Sequence, residues 1–371
     1  MIKVLHIITG LGPGGAQSCL LSILNNKDNN VSHGVISLGR GNIYEEKIKN
    51  NSEFYVKCPI SFNPKLFLQI YNLYKAIKFF SPNIIQTWLY HSDLIGTIIY
   101  IFLKNKPKLV WSIRCSDMAG RYDKGINFLL LKVLSQLSFL PDKIIYNSKS
   151  GIMIHESRGY KKKNSILIYN GIDTKVFKKI SSNSLREKLG INKSTYLFGL
   201  IARDDPIKGH EDFLKAIALV SNSHGILVGD GITSSERILN EIEKLNISHK
   251  ISLFEQNDKI QNIISSLDLL ISASYSEGFP SVIAEAMSCE TSVIATNVGD
   301  SSEIIGKLGT IIKPGDYISL SNKIKIYIRC AKTEREKIGK ELRERIKTNF
   351  SSEVMHIKYN KIYNTLCGKN N

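Results

Sequence analysis

Cys-x-x-Cys pairs, Asp-x-Asp pairs and long apolar segments are missing from this 371-residue chain. The six cysteines are scattered, with no C-x-x-C pair and no histidine at metal-ligand spacing, so we expect free thiols rather than a disulfide framework. The most apolar segments, 94–103 and 126–140, are shorter than the roughly 20 residues of a membrane-spanning helix. The N-terminus enters a strand-like segment without the pattern of a signal peptide. We expect a protein that is soluble or lies on a membrane surface.

Acidic residues are scarce in the first half of the chain. Up to Gly190 there are 27 basic and 11 acidic residues, whereas 23 basic and 22 acidic residues follow it. Nearly all of the net charge of +17 therefore belongs to the first half. This asymmetry predicts a polyanionic partner there: an anionic membrane surface, a phosphorylated substrate or nucleic acid.

Short β-branched segments alternate with helical patterns along the chain, which predicts parallel sheets built from βα units. The strand candidates form two sets, which fit two doubly wound domains better than one very wide sheet. The first set is 4–8, 34–38, 84–87, 109–113, 143–146 and 165–168, and the second is 196–201, 225–228, 251–254, 269–273, 292–295 and 310–312. Polar residues after the first set place the predicted boundary at 180/181, giving domains 1–180 and 181–351.

The segment 63–80 has the pattern of an amphipathic helix, with Pro64 at its first position. Its apolar face is formed by Leu66, Phe67, Ile70, Leu73, Tyr74 and Ile77, and it is flanked by Lys65, Lys75 and Lys78. A helix packed on the sheet with solvated lysines is the simpler interpretation. A helix lying on a membrane surface is the alternative.

The first predicted strand runs into a glycine-rich turn, Gly10-Leu-Gly-Pro-Gly-Gly15, and then a helix. This G-x-G-x-x-G pattern lets backbone N–H groups approach a phosphate. The second strand lacks the acidic residue that would bind a ribose, but Arg40 could meet a 2′-phosphate, so an NADP-dependent oxidoreductase stays open. A turn that only lets the helix pack on the strand is the other interpretation.

In the second half, two strands are followed by charged residues. Arg203 and Lys208 lie on the loop after strand 196–201, where a planar guanidinium and a compact ammonium could clamp a diphosphate. Glu277 lies in the loop after strand 269–273, and Glu285 lies about one turn into the next helix.

Ser281 is predicted to cap that helix, whose first N–H groups suit an anionic ligand. The carboxylates could bind sugar and ribose hydroxyl groups, and the cations and the helix end could bind phosphates. Together these groups predict a site for a nucleotide-diphosphate sugar.

Nearly the whole chain resembles the family 4 retaining glycosyltransferases (glycosyl transferases group 1), which have the GT-B fold. The matching segments are the 12–17 loop, Tyr169-Asn-Gly-Ile-Asp173, the pair Arg203 and Lys208, Val228-Gly-Asp-Gly231, Glu277-Gly-Phe-Pro280 through Glu285, and Asn297-Val-Gly-Asp300 with Glu303. The resemblance implies an α/β protein of two Rossmann-like doubly wound domains facing across a cleft. The first would bind the acceptor, the second the nucleotide sugar, and a C-terminal helix at about 352–368 can pack back on the first.

The resemblance also implies roles for individual residues. Arg203 and Lys208 would neutralise the leaving diphosphate, Glu277 would position the donor sugar, and Glu285 would bind the ribose hydroxyls. The other donor-binding residues would be Gly14, Gly15, Gly229, Phe279, Pro280, Ser281 and Val282. No cofactor and no metal are expected, because cationic side chains and a helix terminus take the electrostatic role and no Asp-x-Asp pair is present.

One part of the family pattern is absent. Arg114 and Cys115 stand where many relatives carry a histidine after the strand corresponding to 109–113. His91, from a neighbouring loop, is the substitute we assign to the catalytic set, with a structural or capping histidine as the alternative. Arg114 and Asp117 are assigned to the acceptor side.

The implied activity is that of a hexosyltransferase acting on a lipid-linked or polysaccharide acceptor, in the biosynthesis of a capsule, O-antigen or exopolysaccharide. We expect a cytoplasmic protein, peripheral on the inner face of the membrane. Docking candidates are Lys161, Lys162, Lys163 and the 63–80 helix, with Phe67, Phe79 or Phe80 as shallow anchors. Lysines scattered over a soluble surface are the alternative. A basic nucleic-acid-binding protein would need a recognition motif, which we do not find, so no nucleic acid is expected as a partner.

Overall fold

A computed structural model describes residues 1–12, 14–26, 28–39, 43–61, 63–114, 125–180, 184–192, 194–255 and 259–368. The chain divides into two compact units. Unit 1 comprises Met1–Gly171 and Ser352–Asn371, and unit 2 comprises Ile172–Ser351.

Unit 1 contains a seven-stranded parallel sheet in the order β3-β2-β1-β4-β5-β6-β7. The strands are β1 (Ile2–Ile8), β2 (Val31–Ser37), β3 (Phe54–Lys57), β4 (Ile84–Trp88), β5 (Lys108–Ile113), β6 (Lys143–Tyr146) and β7 (Ser165–Leu167). The helices are α1 (Gly15–Asn25), α2 (Glu45–Asn50), α3 (Leu66–Phe80), α4 (Tyr90–Phe102), α5 (Gly125–Leu137), α6 (Lys149–Ser157) and, at the C-terminus, α15 (Ser352–Leu366). One apolar cluster joins the sheet to α3, α4 and α5, and a second joins it to α1 and α15.

Unit 2 contains a six-stranded parallel sheet in the order β10-β9-β8-β11-β12-β13. Its strands are β8 (Tyr196–Ile201), β9 (Ser223–Val228), β10 (Ile251–Phe254), β11 (Leu269–Ser272), β12 (Ser292–Thr296) and β13 (Thr310–Ile312). Its helices are α7 (Ser184–Lys188), α8 (His210–Ala218), α9 (Glu236–Lys244), α10 (Ile260–Ser266), α11 (Ser281–Ser288), α12 (Ser301–Ile305), α13 (Tyr317–Arg329) and α14 (Lys332–Asn349). The predicted α/β class with two Rossmann-like doubly wound domains is confirmed.

The structure divides the chain earlier than the predicted 180/181 boundary. Ile172 forms a β-bridge with Ser351, and the Arg343 guanidinium donates hydrogen bonds to the carbonyl oxygens of Thr174 and Phe177. These contacts hold residues 172–180 in unit 2. The C-terminal helix α15 belongs to unit 1, where Tyr359 is among its buried residues.

Helix α3 differs from its prediction in two respects. It begins at Leu66 rather than near Pro64, because Asn63 closes a turn by accepting a hydrogen bond from the Lys65 N–H at 2.9 Å. Phe80, predicted as a shallow membrane anchor, is buried and stacks on Phe54 with ring centroids 5.1 Å apart, whereas Phe67 and Phe79 are exposed. In the part of the chain that the structure describes, no helix has the length and apolarity needed to cross a bilayer.

Candidate active site

The two loops with the predicted charged residues border the same crevice of unit 2. Strand β8 lies between β9 and β11, so the chain leaves β8 toward one side of the sheet and later returns to its other side. Open α/β sheets bind ligands at the carboxyl ends of their strands at such a reversal of strand order. The loops after β8 and β11 therefore form the expected ligand crevice.

Lys208 and Glu277 form an ion pair across this crevice. The Lys208 Nζ lies 2.7 Å from Glu277 Oε1, and the two side chains are only 17% and 14% exposed. Ser274 Oγ donates a second hydrogen bond to the same Glu277 oxygen at 2.7 Å. Two residues that the sequence placed on separate loops thus come together, in a partly dehydrated pair that orients both charged groups.

Backbone contacts fix the positions of these two loops relative to each other. Tyr275 N–H donates to the Ile207 carbonyl oxygen at 2.7 Å, and a Cβ on Gly209 would overlap the carbonyl oxygen of Ala273. On the other side, the Asp300 N–H donates to the Gly278 carbonyl oxygen at 2.9 Å. The Glu277 loop is therefore positioned by main-chain contacts from both neighbouring loops.

Arg203 lines a cavity beside the crevice. The cavity has a volume of about 240 Å³ and is lined by Ile201, Ala202, Arg203, Val228, Gly229, Asp230 and Ile260. The Arg203 guanidinium is half exposed and pairs with Asp205 at 2.7 Å. A Cβ on Gly229 would overlap the Ala202 carbonyl oxygen, so only glycine allows β8 and β9 to end this close together.

The start of α11 differs from the prediction that Ser281 caps it. Pro280 occupies the N-cap position and makes no side-chain hydrogen bond, while Ser281 is already the first helical residue. Proline cannot cap a helix through its side chain, so its ring leaves the first-turn N–H groups without that acceptor. Phe279 is buried, with its ring 5.9 Å from that of Phe350, and Val282 is half-buried.

Glu285 is the fifth residue of α11 and is half-buried. Loss of solvent around its carboxyl group raises its pKa from 4.5 to about 7. A carboxyl group that keeps its proton near neutral pH because of burial is typical of a functional site.

Replacing Glu285 with glutamine is expected to increase the free energy of unfolding by about 3 kcal/mol at about pH 8 and to change it little at about pH 4. The unfolded wild type ionises above 4.5, whereas the folded protein keeps the proton until about 7. Wild-type stability therefore falls across this range and stays low above it, a loss that glutamine avoids. Urea denaturation at both pH values measures the difference, with the exposed Glu243→Gln on α9 as control. A pH-independent effect of Glu285→Gln would contradict this interpretation.

The glycine turn of unit 1 is placed at the N-terminus of α1. Gly14 is the N-cap residue and Gly15 the first helical residue, and both are exposed. The Gln17 amide closes the turn by donating to the Gly10 carbonyl oxygen at 2.9 Å. The proposed contact of Gly14 and Gly15 with the donor phosphates stays a prediction.

The remaining predicted residues of unit 1 lie in different environments. The Arg114 guanidinium lies 4.8 Å from the Trp88 ring, donates to Asn170 Oδ1 at 2.8 Å and bonds the Tyr359 hydroxyl of α15. These contacts give Arg114 a packing role, and its acceptor-side role stays a prediction. His91 is exposed in the first turn of α4, so its catalytic role also stays a prediction. Asp117 lies outside the described residues.

Sequence reasoning missed the residues that orient the pair in the crevice. Ser274 precedes Glu277 by one turn of backbone, and Asp205 accepts a hydrogen bond from the Ile207 N–H in the short turn that ends at Lys208. In the sequence, the only sign of these two residues is that a small polar residue stands close to Lys208 and another close to Glu277. Small polar residues beside charged ones occur in many surface loops, so this sign is weak. Within the described ranges, no group of three or more His, Cys, Asp or Glu side chains is arranged to hold a metal ion.

Comparisons with known proteins agree with the fold and with the predicted class of enzyme. Residues 181–345 match the family model described as Glycosyl transferases group 1. The capsular polysaccharide biosynthesis glycosyltransferase CapM of Staphylococcus aureus is 25% identical over 98% of this chain and 97% of its own length. The UDP-Gal:alpha-D-GlcNAc-diphosphoundecaprenol alpha-1,3-galactosyltransferase of Escherichia coli is 24% identical over 68% of each chain.

The structure of Anabaena HepE in complex with UDP-glucose has a similar fold, with a TM-score of 0.85, 20% identity, and coverage of 98% of this chain and 100% of HepE. Together these matches favour the predicted transferase over the oxidoreductase and the nucleic-acid-binding protein.

Proposed function

We propose that this protein moves a sugar from a nucleotide-diphosphate donor to a lipid-linked or polysaccharide acceptor, in keeping with the match of residues 181–345 to the family model described as Glycosyl transferases group 1. The observation that carries the proposal is the Lys208–Glu277 pair at the strand-order reversal of unit 2, inside the family-matched segment. The names of the relatives, for capsular polysaccharide and for a diphosphoundecaprenol acceptor, support a role in surface polysaccharide biosynthesis.

The leaving diphosphate accumulates negative charge as its bond to the sugar breaks. Lys208 and Arg203 supply positive charge on the loop after β8, and the N-terminus of α11 follows the loop after the neighbouring strand β11, at the same edge of the sheet. Glu277 would accept hydrogen bonds from hydroxyl groups of the donor sugar. The partly dehydrated surroundings of the pair strengthen each of these interactions.

We propose a retaining reaction in which the acceptor hydroxyl attacks the anomeric carbon on the face that the diphosphate leaves. Glu285 would bind the ribose hydroxyls, and the cavity beside Arg203 and Gly229 would accommodate part of the nucleotide. The acceptor would bind to unit 1, whose segment up to Gly171 contains most of the excess positive charge.

The transfer is expected to proceed without a divalent metal, because Lys208 and Arg203 can supply the charge stabilisation that a metal ion would otherwise provide. Turnover measured in EDTA should equal turnover measured in Mg²⁺. Activity abolished by EDTA and restored by Mg²⁺ or Mn²⁺ would contradict the proposal.

A thermal-shift screen of nucleotide sugars, beginning with UDP sugars, tests the donor class. A ligand present at about 100 times its dissociation constant stabilises the folded state by about 2.7 kcal/mol, which such a screen detects. The stabilising donor is then incubated with a lipid-linked saccharide, and the product is analysed by mass spectrometry and by the configuration of its new linkage. No stabilisation by any nucleotide sugar would contradict the proposed function.

We also propose that the protein works at the inner face of the cytoplasmic membrane. The support is the positive charge of the first half of the chain and the lipid-linked acceptor named for a relative.

A further inference from the structure

Every phenylalanine that is exposed among the described residues lies in one layer of unit 1. We call helices α3, α4 and α5, together with the adjoining residues 63–65, 81–83, 103–106 and 138–140, the α3–α5 layer. Its five exposed phenylalanines are between 52% and 86% exposed and are Phe67, Phe79, Phe102, Phe128 and Phe139. Leu68, Tyr71, Ile98, Ile101, Leu129 and Val133 are exposed in the same layer. Soluble proteins rarely expose so many large apolar side chains together, and such surfaces mark sites of interaction.

These side chains are not needed for the core of unit 1. The opposite sides of the same helices supply the buried contacts, such as Leu73 on α3, Ile99 on α4 and Leu134 on α5. On α4, Ile98 and Phe102 are four residues apart and therefore share one outward face. The layer thus has an inner apolar face that packs on the sheet and an outer apolar face that does not.

The charge of the layer has a single sign. Its exposed lysines are Lys65, Lys75, Lys78, Lys104, Lys106 and Lys132. The only acidic residue in these ranges is Asp93, which is buried and hydrogen-bonded by Thr87. The Lys75 ammonium lies 4.6 Å from the centre of the exposed Tyr71 ring, so positive charge and apolar surface are intermixed.

We propose that the α3–α5 layer docks on an anionic lipid surface. The phenylalanines would enter the headgroup region and the lysines would contact lipid phosphates, as in proteins that lie in the membrane interface. A second copy of the chain fits this face less well, because a twofold contact would bring two acid-free lysine surfaces together. The proposal rests on the proposed function, since docking would bring the acceptor-binding unit to lipid-linked substrates. It extends the sequence-based candidate, the 63–80 helix, to α4 and α5.

Vesicle binding by the full-length protein tests the proposal. We expect binding to vesicles of phosphatidylcholine and phosphatidylglycerol, weak binding to phosphatidylcholine alone, and a decrease at high salt. The triple variant Phe67→Ser, Phe102→Ser, Phe128→Ser should bind at least about tenfold more weakly, because each ring loses buried apolar area. Replacing Lys75 or Lys78 with glutamine should weaken binding about fivefold each. The matched control is Ile326→Ser with Ile357→Ser, which removes apolar side chains of similar exposure, 60% and 67%, outside the layer.

A fluorescent probe locates the contact. Trp88 and Trp111 are fully buried, so a new tryptophan from Phe102→Trp or Phe128→Trp reports its own surroundings. Its emission should shift to shorter wavelength and be quenched by brominated lipid, whereas that of Ile357→Trp should not change.

Equal vesicle binding by the wild type and the phenylalanine variant, or no binding to anionic vesicles, would overturn the proposal. A dimer in sedimentation that the same substitutions dissociate would also overturn it, in favour of a contact between copies. Stabilisation by nucleotide sugars is measured in parallel on the same variants. If vesicle binding persists without any effect of nucleotide sugars, the proposed function fails and the docking surface stands.

Discussion

Replacing Lys208 with alanine is expected to lower kcat by about 10²- to 10³-fold, the usual effect of removing one oriented charge from a developing anion. The ammonium lies 2.7 Å from Glu277 Oε1 in a crevice where both side chains are largely shielded from water. In the proposed reaction the leaving diphosphate would then lack one of its two cations, and the Glu277 carboxylate would lose the ion pair that orients it. Single-turnover measurement of transfer from the donor separates this effect from donor binding.

Lys215→Ala is the matched control for that variant. Lys215 lies in α8, the helix that follows the Lys208 loop, and its ammonium is 3.8 Å from a carboxylate oxygen of the largely buried Glu241. Removing it deletes a lysine and a longer ion pair outside the crevice, so transfer should continue at nearly the wild-type rate. Near-normal turnover by a folded Lys208→Ala variant would show that the diphosphate is neutralised elsewhere.

The pattern of strands could be read from the sequence because parallel strands buried on both faces leave short β-branched segments. All twelve predicted strands are present, and the one that was missed is β3. It lies at the edge of its sheet and has only four residues, none of them fully buried, so its three apolar or aromatic residues, Phe54 to Val56, form a segment too short to stand out in the sequence.

The candidate site was predictable in its residue types but not in its contacts. Lys208 and Glu277 are 69 positions apart, and their pairing depends on β8 lying beside β11, a strand order that local patterns do not determine. The N-cap of α11 was predicted wrongly. Serine is a favourable N-cap residue, but the helix already begins at Ser281, so the N-cap position falls on the residue before it. Phe80 is likewise a residue type that can anchor a protein in a membrane. Only its packing on Phe54 shows that it belongs to the core.

Replacing Gly209 with alanine is expected to lower turnover by about 10²-fold, although Gly209 contributes no side chain to the site. A displacement of catalytic groups by about 1 Å can have an effect of this size. A Cβ at this position would overlap the Ala273 carbonyl oxygen, so the loop that carries Lys208 must move away from the loop that carries Glu277. The two loops also share the hydrogen bond from the Tyr275 N–H to the Ile207 carbonyl oxygen, which the displacement would lengthen. Steady-state kinetics with saturating donor measures the loss.

Gly190→Ala separates the effect of this overlap from that of backbone strain. Gly209 and Gly190 have similar positive φ angles, 70° and 63°, but a Cβ on Gly190 has no atom within 4 Å. Alanine costs about 1 kcal/mol of stability at either position through its left-handed conformation. Only at Gly209 does it also push the two loops apart. Gly190→Ala should therefore unfold at slightly lower denaturant concentration and retain full turnover, whereas Gly209→Ala should lose turnover even at temperatures where it is fully folded. Equal turnover in the two variants would show that the spacing of the two loops does not control the reaction.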